Sequence, residues 1–310
     1  MSNKKKDLNS KKLADSSFNI IIDYLPDGII PYIKLSRFDR PIGIWLLMLP
    51  AWWSISISLS LENETKEILL YLYFFLGSIA MRGAGCTFND LIDMKLDSKV
   101  KRTSNRPLPS GEITIFKASI WLVFQSLIGF SILIQFNFLT IFIGLFSLLL
   151  VAIYPFMKRI TWWPQIFLGL AFNFGVILAW VEINNQISHI CIIIYLAGIF
   201  WTLGYDTIYA LMDINDDKLV GIKSSAIYIG EKNLKIFLSI FYSFTFLLLS
   251  YCSITVGVKW FFWPIFLLSS SHLAWQIITL KPKLSNDCLK KFKSNSTFGF
   301  AIFLCFLIGN

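Results

Sequence analysis

The chain has 310 residues, of which 55% are hydrophobic, 16% aromatic and only 15% charged. An ordinary soluble domain carries about 25% charged residues, so the composition excludes a disordered chain, a disulfide scaffold and a typical cytosolic enzyme. The remaining charge is skewed, with 28 Lys+Arg against 19 Asp+Glu and a net +9, but the bases do not cluster around a polar fold, so no nucleic-acid partner is expected.

Residues 1–16 are polar and lysine-rich, without the apolar core of a secretory signal. Asp7, Asp15 and the use of Lys rather than Arg fit a transit peptide poorly. They read as a cytosolic tail. Residues 17–35 are apolar but broken by Asp23, Pro26, Asp27, Gly28 and Pro31, as in an interfacial segment. A tail and interfacial segment over 1–36 therefore precede an intramembrane domain over 37–310.

A helix needs about 20 apolar residues to cross the bilayer. Runs of that kind lie at 42–61, 68–90, 115–134, 138–157, 164–184, 190–210, 234–254, 260–280 and 297–309. The expected fold is all-α, a polytopic membrane protein with about nine transmembrane helices around a central cavity. The ninth run is short, since 13 residues rise only about 20 Å, so it either extends back toward Lys293 or enters the membrane only partway. With nine spans, every Lys and Arg except Lys66 and Lys259 falls on the side of the N-terminus. The positive-inside rule then places the N-terminus in the cytoplasm.

Five cysteines form no Cys-x-x-Cys pair, and the two histidines, His189 and His272, are far apart. Neither a zinc site nor a histidine-based triad is indicated.

The carboxylates are more informative. Seven of the 19 fall in two short stretches, Asn89–Asp97 and Asp206–Asp217, each at the end of an apolar run. Asp93 and Asp97 are four apart, as are Asp213 and Asp217, and residues i and i+4 share a helix face. The two pairs are also 120 residues apart. Four spans separate them, which suggests a duplicated four-helix unit with two acidic helix ends facing across a cavity. Carboxylates with an Asn oxygen are hard ligands that suit Mg²⁺ shared with a phosphate. Lys101, Arg102 and Arg106 follow the first stretch, Lys158 and Arg159 close the fourth span, and Lys223 follows the second stretch. Acids for a metal and bases for anionic oxygens describe a metal–diphosphate site.

Asn89–Asp97 matches N-D-x-x-D-x-x-x-D, and in this it resembles the UbiA superfamily of intramembrane aromatic prenyltransferases. Tyr205 to Asp213 is similar to that superfamily's second motif. Four further blocks, Arg37–Gly43, Lys101–Gly111, Tyr154–Arg159 and Gly221–Ala226, resemble the branch that prenylates 4-hydroxybenzoate in ubiquinone synthesis. The likeness runs from about residue 31 to the end. Met94 stands where the family often has Arg, and Ser225 where it often has Thr.

The resemblance implies a Mg²⁺-dependent transfer of a polyprenyl group to the ring carbon ortho to the hydroxyl of 4-hydroxybenzoate. Asn89, Asp93, Asp97, Asp213 and Asp217 would form the metal–diphosphate site. Lys101, Arg102, Arg106, Lys158, Arg159 and Lys223 would neutralise the diphosphate. Asp206 or Asp217 would take a proton or orient the phenol. From the residues themselves, Arg37 and Arg40 are candidates to meet the acceptor's carboxylate or to snorkel at the membrane edge, Asn173 to contact the acceptor or to bond a neighbouring helix, and Tyr154 to line the cavity or pack. The partners are polyprenyl diphosphate, 4-hydroxybenzoate and the lipid bilayer. The expected location is a bacterial inner membrane, with the mitochondrial inner membrane as alternative.

Other acceptors (dihydroxynaphthoate, homogentisate or haem) share such metal motifs. A CDP-alcohol phosphotransferase would need D-G-x-x-A-R, whereas Asp27-Gly28 is followed by Ile29-Ile30-Pro31. An ion-coupled transporter would favour inverted repeats, whereas the repeat inferred here is parallel.

Overall fold

Apolar runs without water must satisfy their backbone groups internally, which favours helices. A computed structural model describes residues 25–62, 68–100 and 103–309. In it the helices are α1 (Ile30–Leu35), α2 (Ile42–Glu62), α3 (Ile68–Asp97), α4 (Ile115–Leu133), α5 (Phe138–Ile160) and α6 (Pro164–Phe172). They continue as α7 (Phe174–Asn184), α8 (His189–Ala210), α9 (Ile214–Val220), α10 (Ser225–Val256), α11 (Phe262–Thr279) and α12 (Ser285–Gly309). A 3₁₀ turn, Leu211–Asp213, joins α8 to α9. Taking α6 with α7 and α8 with α9, eight spans among the described residues are long and apolar enough to cross a membrane. The helix α11 lies in the expected eighth run but is more polar, with Ser269, Ser270, Ser271, His272 and Gln276. The chain is therefore an all-α, multi-pass membrane protein.

Three elements differ from their expected limits. The helix α3 continues past its apolar run to Asp97, so the whole first acidic stretch is helical. The run at 164–184 breaks at Asn173, whose side-chain amide donates to the Gly169 carbonyl at 2.8 Å. An Asn side chain that bonds the local backbone in this way competes with the helix. The last helix starts at Ser285, not near residue 297. Its polar first half is helical because neighbouring side chains bond its polar groups. Asn295 accepts from the Trp201 indole at 2.9 Å, and the Lys291 ammonium lies 3.3 Å from the Trp275 ring centroid and bonds Thr279. At 25 residues and about 1.5 Å each, α12 is long enough to span.

Side-chain oxygens accept from free backbone N–H groups at three helix starts: Asn137 for α5, Ser188 for α8 and Ser224 for α10. The helix α10 bends at Gly230, whose backbone is non-helical (φ 68°, ψ 165°).

The chain divides into two compact units. One comprises Met1–Ile44 with Ile79–Gly129. Its core sets Leu35, Leu108, Ile113 and Ala118 together, with Tyr32, Leu91, Met94 and Trp121 packed against them. The other comprises Trp45–Ser78 with Phe130–Asn310. In it Ala51, Ile55, Leu70, Phe74 and Ala179 form one core, and the rings of Trp53, Trp201 and Phe298 meet in tilted and edge contacts. Within this unit 72% of an 18-residue apolar stretch of the span that begins with α8 is buried, against 17% of such a stretch in α5. The helix α8 is thus an interior helix, while α5 presents Phe138, Phe142, Phe146 and Leu149 outward, as a lipid-facing helix does.

Candidate active site

The first acidic stretch sits on one unbroken helix. Asp90, Asp93 and Asp97 lie at i, i+3 and i+7 of α3 and so share a face. Asp90 and Asp93 are fully buried and Asp97 is 7% exposed. Asn89 is half-buried beside them. Buried carboxylates require paired charge or hydrogen bonds, and for Asp90 and Asp97 two arginines supply it. Arg37 Nη2 donates to Asp90 Oδ1 at 2.7 Å. Arg106 Nη1 lies 3.2 Å from the same oxygen and 2.6 Å from Asp97 Oδ2.

Both arginines come from turns that aim them. Arg37 follows α1 with φ +57°, a left-handed conformation. Its N–H donates to the Lys34 carbonyl and that of Phe38 to the Ile33 carbonyl. This is the Schellman closure that glycine normally makes. A residue with a Cβ pays about 1–2 kcal/mol there, and the ion pair with Asp90 offsets it. Arg106 lies on the loop after α3. The Thr103 hydroxyl donates to the Asp97 carbonyl at 2.8 Å and the Arg106 N–H to the Thr103 carbonyl, which turns the chain back onto the acidic face. Buried Leu108 and Ile113 anchor the loop in the core.

Arg40 Nε donates to Asp39 Oδ2 at 3.1 Å, and Asp39 is buried. Arg82 lies against Gly43, where an added Cβ would stand 2.2 Å from Arg82 Nε. The glycine in the Arg37–Gly43 block therefore leaves room for a guanidinium. Met94, where the family often has Arg, packs into the apolar core around Leu35 and Leu108.

The second acidic stretch has a different backbone. The helix α8 ends at Ala210, and the 3₁₀ turn carries Asp213 out of helical register (φ −110°, ψ 1°) at the head of α9. Asp213 and Asp217 therefore do not share one continuous helix. Asp216 and Asp217 occupy the first turn of α9, where the helix dipole favours negative charge. Asp206, Asp213 and Asp217 are all half-buried.

Around this stretch the Lys223 N–H donates to the Lys158 carbonyl at 2.8 Å, and Lys223 Nζ to the Ile160 carbonyl at 2.9 Å. Lys223 also stands 5.7 Å from the Trp162 ring centroid, and Arg159 stands 5.8 Å from that of Phe156. Lys158, Arg159 and Lys223 are thus gathered at the end of α5. The Ser225 hydroxyl pairs with Thr207 at 2.7 Å and its N–H donates to Gln165, fixing the end of α8. Asn173 is buried and donates to the Thr202 hydroxyl at 2.9 Å, which in turn donates to the Tyr205 hydroxyl. Its contact with α8 is an interhelical hydrogen bond. Tyr154 is half-buried on α5. Lys101 and Arg102 lie outside the described residues.

Among the described residues no three His, Cys, Asp or Glu side chains are grouped to hold a metal unaided. Hard oxygen donors are nevertheless present, and the buried Asp90 Oδ2 has no hydrogen-bond partner among the described residues. Asp90 is the residue that sequence reasoning passed over. Its i, i+7 relation to Asp97 was the available signal, since two helical turns return to the same face.

The model of the UbiA prenyltransferase family matches residues 47–305. The mitochondrial 4-hydroxybenzoate polyprenyltransferase of Homo sapiens is 42% identical over 94% of this chain and 78% of its own length. That of Arabidopsis thaliana is 43% identical over 92% and 70%. Among solved structures, a UbiA homologue from Aeropyrum pernix K1 superposes with a TM-score of 0.71 at 18% identity, covering 84% of this chain and 96% of that one. A homologue from Archaeoglobus fulgidus bound to GPP and Mg²⁺ gives 0.66 at 17% identity, covering 89% and 99%. At such identities the superpositions bear on the fold, and they agree with the sequence matches: the chain belongs to the UbiA prenyltransferase family.

Proposed function

We propose that this protein transfers a polyprenyl group from its diphosphate to 4-hydroxybenzoate, at the ring carbon ortho to the hydroxyl, in ubiquinone synthesis. The observation that carries this reading is the 42% identity to an enzyme of that name along 94% of the chain, a stretch far longer than the metal motifs alone. The proposed location is an inner membrane, bacterial or mitochondrial; the named relatives are mitochondrial.

The donor set fits Mg²⁺, which takes carboxylate oxygens together with substrate phosphates. Asn89, Asp93 and Asp97 would hold it on the first stretch, and Asp213 and Asp217 on the second. Bound Mg²⁺ supplies positive charge to the leaving group. Arg106, Lys158, Arg159 and Lys223, with Lys101 and Arg102, neutralise the remaining phosphate charge. Departure of diphosphate leaves an allylic carbocation, which apolar surroundings protect from water. The phenol ring attacks through its ortho carbon, and loss of the ring proton restores aromaticity. Asp206 or Asp217 takes that proton or orients the phenol. Arg37 and Arg40, held by Asp90 and Asp39, receive the acceptor's carboxylate. Tyr154 and Asn173 would contact the acceptor.

The test is direct. Membranes carrying the protein, given Mg²⁺, a polyprenyl diphosphate and labelled 4-hydroxybenzoate, should yield a lipophilic phenolic acid. No product from 4-hydroxybenzoate, with turnover of dihydroxynaphthoate under the same conditions, would overturn the acceptor assignment.

A further inference from the structure

We propose that Arg106 is the resident counter-cation of the first acidic face, and that it yields Asp97 to the metal while Asp90 retains it. The proposal rests on the Mg²⁺ reading above. One nitrogen, Arg106 Nη1, bridges two carboxylates, Asp97 at 2.6 Å and Asp90 at 3.2 Å. The two contacts are unequal in setting. Asp97 is slightly exposed and Asp90 fully buried. Asp90 is held independently by Arg37 at 2.7 Å, so its carboxylate stays in place whichever way Arg106 turns. Its second oxygen is buried without a partner among the described residues. That oxygen gives Arg106 a second acceptor on the same carboxylate, and a guanidinium prefers such a two-point fork. A divalent metal on Asp97 would take the oxygen that Arg106 bonds, and its charge repels a guanidinium about twice as strongly as a monovalent cation does at the same distance. A metal that engages Asp97 therefore displaces Arg106, and Asp90 is the adjacent acceptor. The loop need not move, because Thr103 ties it to the Asp97 carbonyl.

The exchange makes Arg106 and the metal competitors, which is measurable without turnover. Mn²⁺ binding is read by electron paramagnetic resonance on the full chain in nanodiscs, with Mn²⁺ alone and with inorganic pyrophosphate. With Mn²⁺ alone, Arg106→Gln should bind at least about fivefold more tightly than the unaltered protein, the low end of a typical coupling. Asp90→Asn should act in the opposite sense, since Arg106 then has only Asp97. The double variant should return to the affinity of Arg106→Gln. If Arg106→Gln does not fold, the weakened binding of Asp90→Asn carries the test alone. Equal or weaker Mn²⁺ binding by Arg106→Gln, or unchanged binding by Asp90→Asn, overturns the exchange and leaves the metal assignment standing. If no protein binds Mn²⁺ even with pyrophosphate, the metal assignment falls and the exchange with it.

Discussion

The two acidic stretches have the same residue chemistry and a constant offset of 120 residues, yet they are built differently. The first lies on an unbroken helix, with two fully buried carboxylates and two arginines bonded to the face. The second passes through a 3₁₀ turn into a short helix, and its carboxylates are half-buried. Its neighbouring base Lys223 bonds a backbone carbonyl instead. Equal spacing thus fixes which residues recur and leaves the backbone beneath them free to differ. The first face is a continuous helical surface with buried carboxylates, and the second is a broken backbone with half-buried ones.

The largest expected effect tests what the faces share. Asp93→Asn and Asp213→Asn should each lower kcat/KM for prenyl transfer by about 10²–10³, the loss usual when one group stabilising developing charge is removed. Near-normal turnover by either variant in the product assay would break the pairing of the two stretches.

A second prediction concerns the frame that holds α8. Asn295 bonds both the Trp201 indole and Gln276. Asn295→Leu should cost about 1–3 kcal/mol, because it leaves buried polar partners unsatisfied, and thermal unfolding in detergent would read the loss. A Tm within a degree of the parent would show that the network does not clamp the helix.

The strain at Arg37 sharpens the contrast from the other side. Arg37→Ala and Arg37→Gly both remove the ion pair with Asp90, but only glycine accepts φ +57° freely. The glycine variant should be the more stable by about 1 kcal/mol, measured by denaturant midpoint. Equal stability would mean that Arg37 is not strained.

The smallest effect belongs to the second stretch. Lys223→Gln removes a cation from the end of α5, a contact worth about 0.3–1 kcal/mol. It should leave stability nearly intact and raise the KM for polyprenyl diphosphate several-fold. A large loss of stability with unchanged KM would reassign Lys223 to the scaffold.

Much of this was legible in the sequence, and the remainder has identifiable causes. Apolar runs announced the spans because hydropathy is local. The first acidic pair was readable because α3 continues through it, so the i, i+4 rule holds. It failed at Asp213, where Asp213, Asn215, Asp216 and Asp217 crowd a weak helix former into a tight turn. The helical first half of α12 was hidden because its Lys and Asn residues read as loop until Trp201, Gln276 and Trp275 are seen to satisfy them. Arg37 carries no sequence sign of a left-handed backbone, since the position asks for glycine and tertiary charge overrides it. Arg106 was legible as a base near the acids. Its bridge between Asp90 and Asp97 depends on how the loop folds back, which no periodicity encodes.

The proposed function gives each acidic stretch a part in Mg²⁺-dependent use of the diphosphate. The most direct test is the Mg²⁺ dependence of initial rates for Asp97→Asn and Asp217→Asn at fixed polyprenyl diphosphate and 4-hydroxybenzoate. Each variant should need more Mg²⁺ for half-maximal rate than the unaltered protein. A variant that lost rate with its Mg²⁺ requirement unchanged would contradict that assignment.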